Sequence, residues 1–182
     1  MRFFLMLAAA TLLVAGERSG PYLSAGAGSA GYSDDGRLAR EQRHDALQLR
    51  LGGGAFINEH LSVALDYRHF LAYRGETVSG EKAEQYFKAL VADVSAHYPF
   101  FRDRFDLYAT FGAGQIFWDQ TAPVKHSNSA ATLMYGVGVG VRALPWLTFN
   151  LGYEQQQFGM DDNGSRYDMM LGGIFLECQV QF

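Results

Sequence analysis

A serine beside a histidine is the arrangement in this chain that could most directly support nucleophilic catalysis, and it occurs at His126, Ser127 and Asn128. A histidine can activate a serine when both side chains share one face, which in a β-strand requires a spacing of two residues. His126 and Ser127 are adjacent, so a strand would point them in opposite directions. The segment is also polar and is predicted to be a loop. We therefore assign no catalytic residues and predict that the protein is not an enzyme.

Metal and thiol chemistry also lack the residue spacing that they need. The histidines are scattered without the short intervals typical of zinc ligands: His44, His60, His69, His97 and His126. Residues 161–165, D-D-N-G-S, lack the regular ligand spacing and the distal glutamate of a calcium loop, and a β-turn explains them better. The single cysteine, Cys178, cannot form an internal disulfide. We predict no metal site and no cofactor.

Ion pairing is the remaining chemistry, because seven charged residues alternate with apolar neighbours. Three are positive and four are negative: Arg50, Asp66, Arg68, Asp93, Arg142, Glu154 and Glu177. A charge buried without a partner costs on the order of several kcal/mol, so charges on a buried face must pair with one another. Whether that face is buried depends on the elements that carry it.

Two long strands around a short Asn-Glu-His break are predicted from Ala46 to Arg74. In the first strand, Leu47, Leu49 and Leu51 share one face, and Arg50 lies on the other. The second strand alternates in the same way. Both strands are long enough to cross a bilayer, which takes about 9 to 11 tilted residues.

Six further segments alternate similarly, which gives eight strands and no helical pattern. Short turns and long polar loops join the strands in alternation, and the long loops are predicted at residues 33–44, 75–84, 120–129 and 159–165. An even number of strands with this loop pattern indicates an up-and-down barrel. We predict an all-β fold, an eight-stranded antiparallel up-and-down transmembrane β-barrel.

The direction of the two strand faces decides between a membrane barrel and a soluble one such as a lipocalin. Aromatic residues at the edges of the apolar face suit a lipid–water interface: Tyr32, Tyr67, Tyr73, Tyr98, Phe100, Trp118, Trp146 and Phe182. The five histidines are expected in turns or at this interface. The opposite face combines glycines with charges, which suits a narrow lumen. We therefore predict that the seven charged residues form an ion-pair network that plugs the lumen; the alternative is a gated path for ions.

The N-terminus has the layout of a secretory signal peptide. Arg2 precedes an apolar run, and small side chains follow at Ala15 and Gly16. We predict a signal peptide at residues 1–16 and a barrel domain at residues 17–182; the alternative is a buried N-terminal helix. The whole chain has a formal charge of −4, and losing Arg2 makes it more negative, which disfavours nucleic acid as a partner. Beyond this segment no apolar run approaches 18 residues, so only strands could span a membrane.

Three motifs and the last residue resemble a known family. The motifs are N-E-H-L-S-V-A-L-D-Y-R at residues 58–68, F-D-L-Y-A-T-F-G-A-G-Q-I-F-W at 105–118 and G-V-G-V-G-V-R at 136–142, and the last residue is Phe182. In order and spacing they are similar to the eight-stranded outer-membrane barrels of the OmpA-like transmembrane domain and its stand-alone porin-family relatives. The resemblance covers roughly the whole mature chain. The peptidoglycan-binding domain of OmpA is not present in this sequence, so a role in anchoring the cell wall is not implied.

The resemblance implies a location and a set of partners. It implies a bacterial outer-membrane protein in contact with lipid and lipopolysaccharide, whose long loops face outside the cell. It also implies that Phe182 resembles the signal read by the barrel assembly machinery during insertion. We expect a monomer that acts as a structural or surface-recognition protein through an extracellular ligand of its loops. The alternatives are a narrow pore and a lipid A acyl hydrolase, an activity that some barrels of this size have.

Overall fold

The computed structural model describes residues 18–34, 38–41, 45–77, 80–122, 126–162 and 165–182. The expected signal peptide therefore lies outside the described residues. Within them the chain forms nine β-strands: β1 (Gly20–Asp34), β2 (Leu38–Glu41), β3 (Asp45–Asn58), β4 (Leu61–Thr77), β5 (Lys82–Phe100), β6 (Phe105–Ala122), β7 (His126–Leu144), β8 (Leu147–Asp162) and β9 (Ser165–Gln181). No helix in this part of the chain is long and apolar enough to cross a membrane.

The eight long strands close into one antiparallel barrel, as predicted. Each pairs with its neighbours in the order β4-β3-β1-β9-β8-β7-β6-β5, and pairing of β4 with β5 completes the ring. The short strand β2 was not predicted; it pairs with the end of β4, where Glu41 lies opposite Gly75. Closure leaves the long strands without an open sheet edge, so their backbone polar groups are paired within the ring.

The two ends of the barrel differ in their connections. The turn end carries the start of β1, the end of β9 and three tight turns, at residues 59–60, 101–104 and 145–146, and the loop end carries the other four connections between long strands. The loops are shorter than predicted. Pairing of β6 with β7 continues as far as Gln120 and His126, so most of the predicted loop 120–129 is strand. The reason is that strand pairing uses backbone groups, and the polar side chains beyond the apolar belt do not interrupt it.

The outer surface of the barrel is an apolar belt. More than half of the side-chain surface of Leu51 and Val137 is exposed (63% and 59%). Other exposed members of the belt are Leu23, Leu65, Leu107, Phe111, Leu133, Leu151, Ile174 and Leu176. A contiguous apolar surface of this kind is suited to lipid rather than water.

The half of the lumen towards the loop end is filled by a cluster that we call the apolar plug. Its buried members include Tyr32, Phe70, Tyr73, Phe87, Val91, Ile116, Trp118, Met134, Phe158, Met160, Met169 and Leu171. The prediction that Tyr32, Tyr73 and Trp118 form part of an outer aromatic girdle is therefore wrong. Tyr32 and Trp118 point inward because the polarity of the two strand faces inverts along the barrel: Leu107 and Phe111 of β6 point outward, but Trp118 of the same strand is buried. Tyr73 points inward because the register of β4 shifts by one residue between Phe70 and Tyr73.

Candidate functional site in the barrel lumen

An ion-pair network fills the middle of the lumen. Arg50 on β3 and Arg68 on β4 occupy directly opposite positions on neighbouring strands, so two positive charges lie side by side. Such a pair is stable only if anions surround it. The anions come from Asp66, two residues before Arg68 on the same face, and from Glu154 on β8 and Glu177 on β9.

The distances show that these five side chains form one connected network. Arg50 contacts three carboxylates: its Nη2 lies 2.9 Å from Asp66 Oδ2, its Nη1 3.1 Å from Glu154 Oε2 and its Nε 3.0 Å from Glu177 Oε2. Arg68 Nε donates to Glu154 Oε1 at 2.9 Å, and its Nη2 donates to Asp66 Oδ2 at 3.2 Å. Arg68 is fully buried. Charge-assisted hydrogen bonds of this kind are stronger than neutral ones, so the network cross-links β3 and β4 to β8 and β9.

Three neighbouring residues shape the network. Gln48 Nε2 donates to Glu154 Oε1 at 2.5 Å. The Arg50 guanidinium lies over the ring of Phe175, 3.9 Å from the centroid, where a cation–π interaction adds to its ion pairs. A Cβ atom at Gly52 would overlap Asp66 Oδ1, so this glycine makes room for the carboxylate.

Two of the seven predicted residues lie apart from the network. Asp93 on β5 is buried beside it, and its Oδ2 makes no hydrogen bond among the described residues. Arg142 on β7 is six residues from Gly136, which lies opposite Glu154, so it sits about 20 Å further along the strand, towards the turn end. It is half-buried near the turn end, with Gln181 Oε1 3.5 Å from its Nη2. The alternation of apolar and polar residues correctly predicts that Arg142 faces the lumen. It does not predict how far along the lumen the residue lies.

The space left inside the lumen is small. The cavity beside the network has a volume of about 50 Å³ and is lined by polar side chains that include Tyr22, Asp93 and Tyr108. That volume holds a few water molecules at most. With the apolar plug above it, the described part of the lumen holds no wide aqueous path.

A second polar group, which we call the turn-end cluster, consists of Ser62, His97, Asp106 and Arg18. Ser62 Oγ lies 2.9 Å from His97 Nε2, and His97 Nδ1 lies 2.7 Å from Asp106 Oδ2. Arg18 Nη1 donates to the same carboxylate oxygen at 2.5 Å, and its guanidinium lies 4.5 Å from the centroid of Phe56. All four cluster residues are buried or nearly so.

Sequence reasoning missed this cluster and expected His97 in a turn or at the membrane interface, which is wrong. The missing information was the alignment of successive hairpins. Ser62 and Asp106 are each the second residue of a strand that follows a turn, and His97 pairs across β5 and β6 with Tyr108. Strands of adjacent hairpins bring such positions to the same depth.

The sequence motifs considered for other chemistry lie at the loop end. His126, Ser127 and Asn128 begin strand β7 rather than forming a loop. In the described ranges no three or more His, Cys, Asp or Glu side chains are arranged to hold a metal ion.

The last residue, Phe182, lies at the turn end. Its backbone N–H donates to Pro21 O at 3.0 Å, and its side chain is half exposed (49%). The Phe182 ring is therefore exposed on the barrel surface, while its backbone is hydrogen-bonded to the start of β1.

Comparison with known proteins places this geometry among outer-membrane barrels. The family model described as outer membrane protein beta-barrel domain matches residues 3–175. Among solved structures, the chain is similar to Neisserial surface protein A, with a TM-score of 0.68 and 17% identity over 90% of this chain and 98% of that chain. It is also similar to the outer membrane protein OprG from Pseudomonas aeruginosa, with a TM-score of 0.58 and 11% identity over 93% and 100% of the two chains. At these identities the similarity shows a shared fold. No curated protein matches the chain in sequence.

Proposed function

Because the chain belongs to the outer membrane protein beta-barrel domain family, we propose that it is a sealed outer-membrane barrel that acts as a structural or surface-recognition protein through its loop end. In this proposal a signal peptide directs export, the barrel assembly machinery inserts the chain as a monomer, and the loop end faces outside the cell. Lipid and lipopolysaccharide contact the apolar belt and the polar side chains above it.

The filled lumen is the observation that carries this proposal. Solute passage would require a path through both the ion-pair network and the apolar plug. The cavity of about 50 Å³ is enclosed by side chains that include those of the ion-pair network. An eight-stranded barrel is only just wide enough for its own side chains. A lumen filled in this way favours a role for the outer surface and the loop end over solute transport.

The loop end supports a recognition role because its strands are cross-linked beyond the apolar belt. Arg74 Nε donates to Glu84 Oε1 at 3.0 Å, and Thr121 Oγ1 donates to Glu84 Oε2 at 3.0 Å, which joins β4, β5 and β6. Gln115 Nε2 donates to Ser129 Oγ at 2.9 Å between β6 and β7. Cross-links of this kind fix the strand ends beyond the belt, which is what a scaffold for surface recognition requires.

Conductance in planar bilayers tests the sealed lumen. Purified protein, refolded and shown to be folded by its heat-modifiable migration on a gel, should give no steady current steps. A wide porin added to the same bilayer controls for detection. Large and stable openings of the refolded protein would show that the lumen conducts and would exclude the sealed-barrel proposal.

Cysteine labelling on intact cells tests the orientation on which recognition depends. In a Cys178→Ser background, Glu81→Cys places a thiol at the loop end, and Glu59→Cys places one at the turn end; both glutamates are exposed. A membrane-impermeant maleimide should label Glu81→Cys on whole cells and Glu59→Cys only after lysis. The reverse pattern would place the turn end outside and would rule out recognition through the loops.

A further inference from the structure

The turn-end cluster contains the connections of an acid–base–nucleophile triad. Asp106 Oδ2 accepts from both Arg18 and His97, so the carboxylate is held as an acceptor and the proton of the imidazole lies on Nδ1. His97 Nε2 is then an acceptor, and the hydroxyl 2.9 Å away, that of Ser62, donates to it. We propose that Ser62, His97 and Asp106 are a hydrolytic triad for short-chain carboxylic esters, with Ser62 as the nucleophile.

The fold holds these three groups in place. Ser62, His97 and Asp106 lie on three successive strands, β4, β5 and β6, whose backbone pairing fixes their spacing. The His97 ring also packs against Phe56, with the centroids 5.0 Å apart. A base that is both hydrogen-bonded to a carboxylate and packed on one side keeps one orientation towards its nucleophile, which is what general-base catalysis requires.

A serine hydroxyl in this lumen can form a hydrogen bond without a histidine partner, as Ser95 shows. Ser95 lies directly opposite Ser62 on the neighbouring strand, and its Oγ lies 2.7 Å from Thr110 Oγ1. Ser95 and Ser62 are both buried in the wall of the same cavity, but Ser62 is the one that contacts His97. The lumen thus contains a reactive arrangement and a matched unreactive one.

The cavity defines the class of substrate. Ser62 and His97 line the space of about 50 Å³, together with Ser24, Ser95 and Thr110. This space accepts an acetyl-sized group and excludes a fatty acyl chain. Ser62 and Asp106 are the second residues of β4 and β6, so the turn end is the end of the barrel nearer to the triad.

The reaction needs an ester and water. Ser62 Oγ attacks the carbonyl carbon while its proton moves to His97 Nε2, and the carbonyl electron pair moves to the oxygen. The bond to the leaving alkoxide then breaks, and His97 returns the proton to that oxygen, which releases the alcohol and leaves acyl-Ser62. Water attacks the acyl group by the same route, releases the carboxylic acid and restores Ser62.

Covalent labelling tests the nucleophile directly. The refolded, heat-modifiable protein is treated with a small alkyl fluorophosphonate, and the modified residue is identified by mass spectrometry. We expect modification at Ser62 in the wild type and in Ser33→Ala, and none in Ser62→Ala or at Ser95. Absence of modification at Ser62 in the folded wild type would overturn the proposal.

Turnover of p-nitrophenyl acetate tests the rest of the triad. Ser62→Ala should reduce the rate to that of buffer, and His97→Gln should reduce it by about 10²- to 10⁴-fold, whereas Ser33→Ala, at an exposed position on β1, should retain the wild-type rate. p-Nitrophenyl octanoate should not be hydrolysed above background. Equal rates for the wild type and folded Ser62→Ala would overturn the proposal, whatever the conductance experiment shows.

Discussion

Replacing Arg68 with methionine tests how far the ion-pair network stabilises the barrel. Arg68 is fully buried and contacts Asp66 and Glu154, so the substitution leaves three carboxylates facing Arg50 alone. Removing one partner of a buried ion pair costs about 3–5 kcal/mol, because the remaining charge stays buried without compensation. We expect the free energy of unfolding to fall by that amount.

Arg74→Met is the matched control. Arg74 lies on the same strand and pairs with Glu84, but 66% of its side-chain surface is exposed. Exposed pairs contribute about 0–1 kcal/mol, so the same chemical change on β4 should have little effect. Equilibrium unfolding by guanidinium in lipid vesicles, followed by tryptophan fluorescence and by heat-modifiability, measures both variants.

The double variant Arg68→Met with Glu154→Met separates pairing from packing. It removes one charge of each sign, so Arg50 keeps Asp66 and Glu177 as partners. The two losses should therefore be less than additive. The reasoning would be refuted if Arg68→Met lost no more stability than Arg74→Met. Leaving buried carboxylates without one of their arginine partners would then not destabilise the barrel.

Three further predictions concern single positions. Gly52→Ala should destabilise the barrel by about 1–3 kcal/mol, because its Cβ would overlap the Asp66 carboxylate, whereas Gly53→Ala meets mainly a flexible leucine side chain and should change unfolding little. Arg102 has φ of 57° in the turn between β5 and β6, so Arg102→Gly should relieve left-handed strain and raise the unfolding free energy by up to about 1 kcal/mol; a loss of stability would contradict this. Phe182→Ala should lower the folded fraction in cells without slowing refolding of the purified chain, because its backbone bond to β1 remains. Equal folded fractions in cells would exclude an assembly signal at this residue.

The strands and the direction of their faces near the middle of the barrel could be predicted from the sequence. Arg50, Asp66, Arg68, Glu154 and Glu177 alternate with apolar residues, and the structure brings all five together. In the middle of the barrel, apolar residues of each strand face outward and polar residues face the lumen, so the period of two residues separates the two faces.

The errors arose where alternation alone carries too little information. Trp118 lies where the interior becomes apolar, so the same rule assigned it to the wrong face. Tyr73 follows a one-residue bulge in β4 that reverses which residues point inward. Arg142 has the expected parity but a different depth. The contact of Ser62 with His97 depends on the register between separate hairpins, which the backbone hydrogen bonds fix and the residue pattern does not.

The position of Glu154 also bears on the order of folding events. Arg68 and Glu154 lie on β4 and β8, which are separated by three strands in either direction around the ring. An unclosed sheet does not bring them together, so a partly assembled state lacks the contact of Arg68 with Glu154, although Asp66 can already pair with both arginines. Closure of the ring and formation of the contact between Arg68 and Glu154 are therefore one event. The network should slow the opening of the finished barrel more than it speeds insertion.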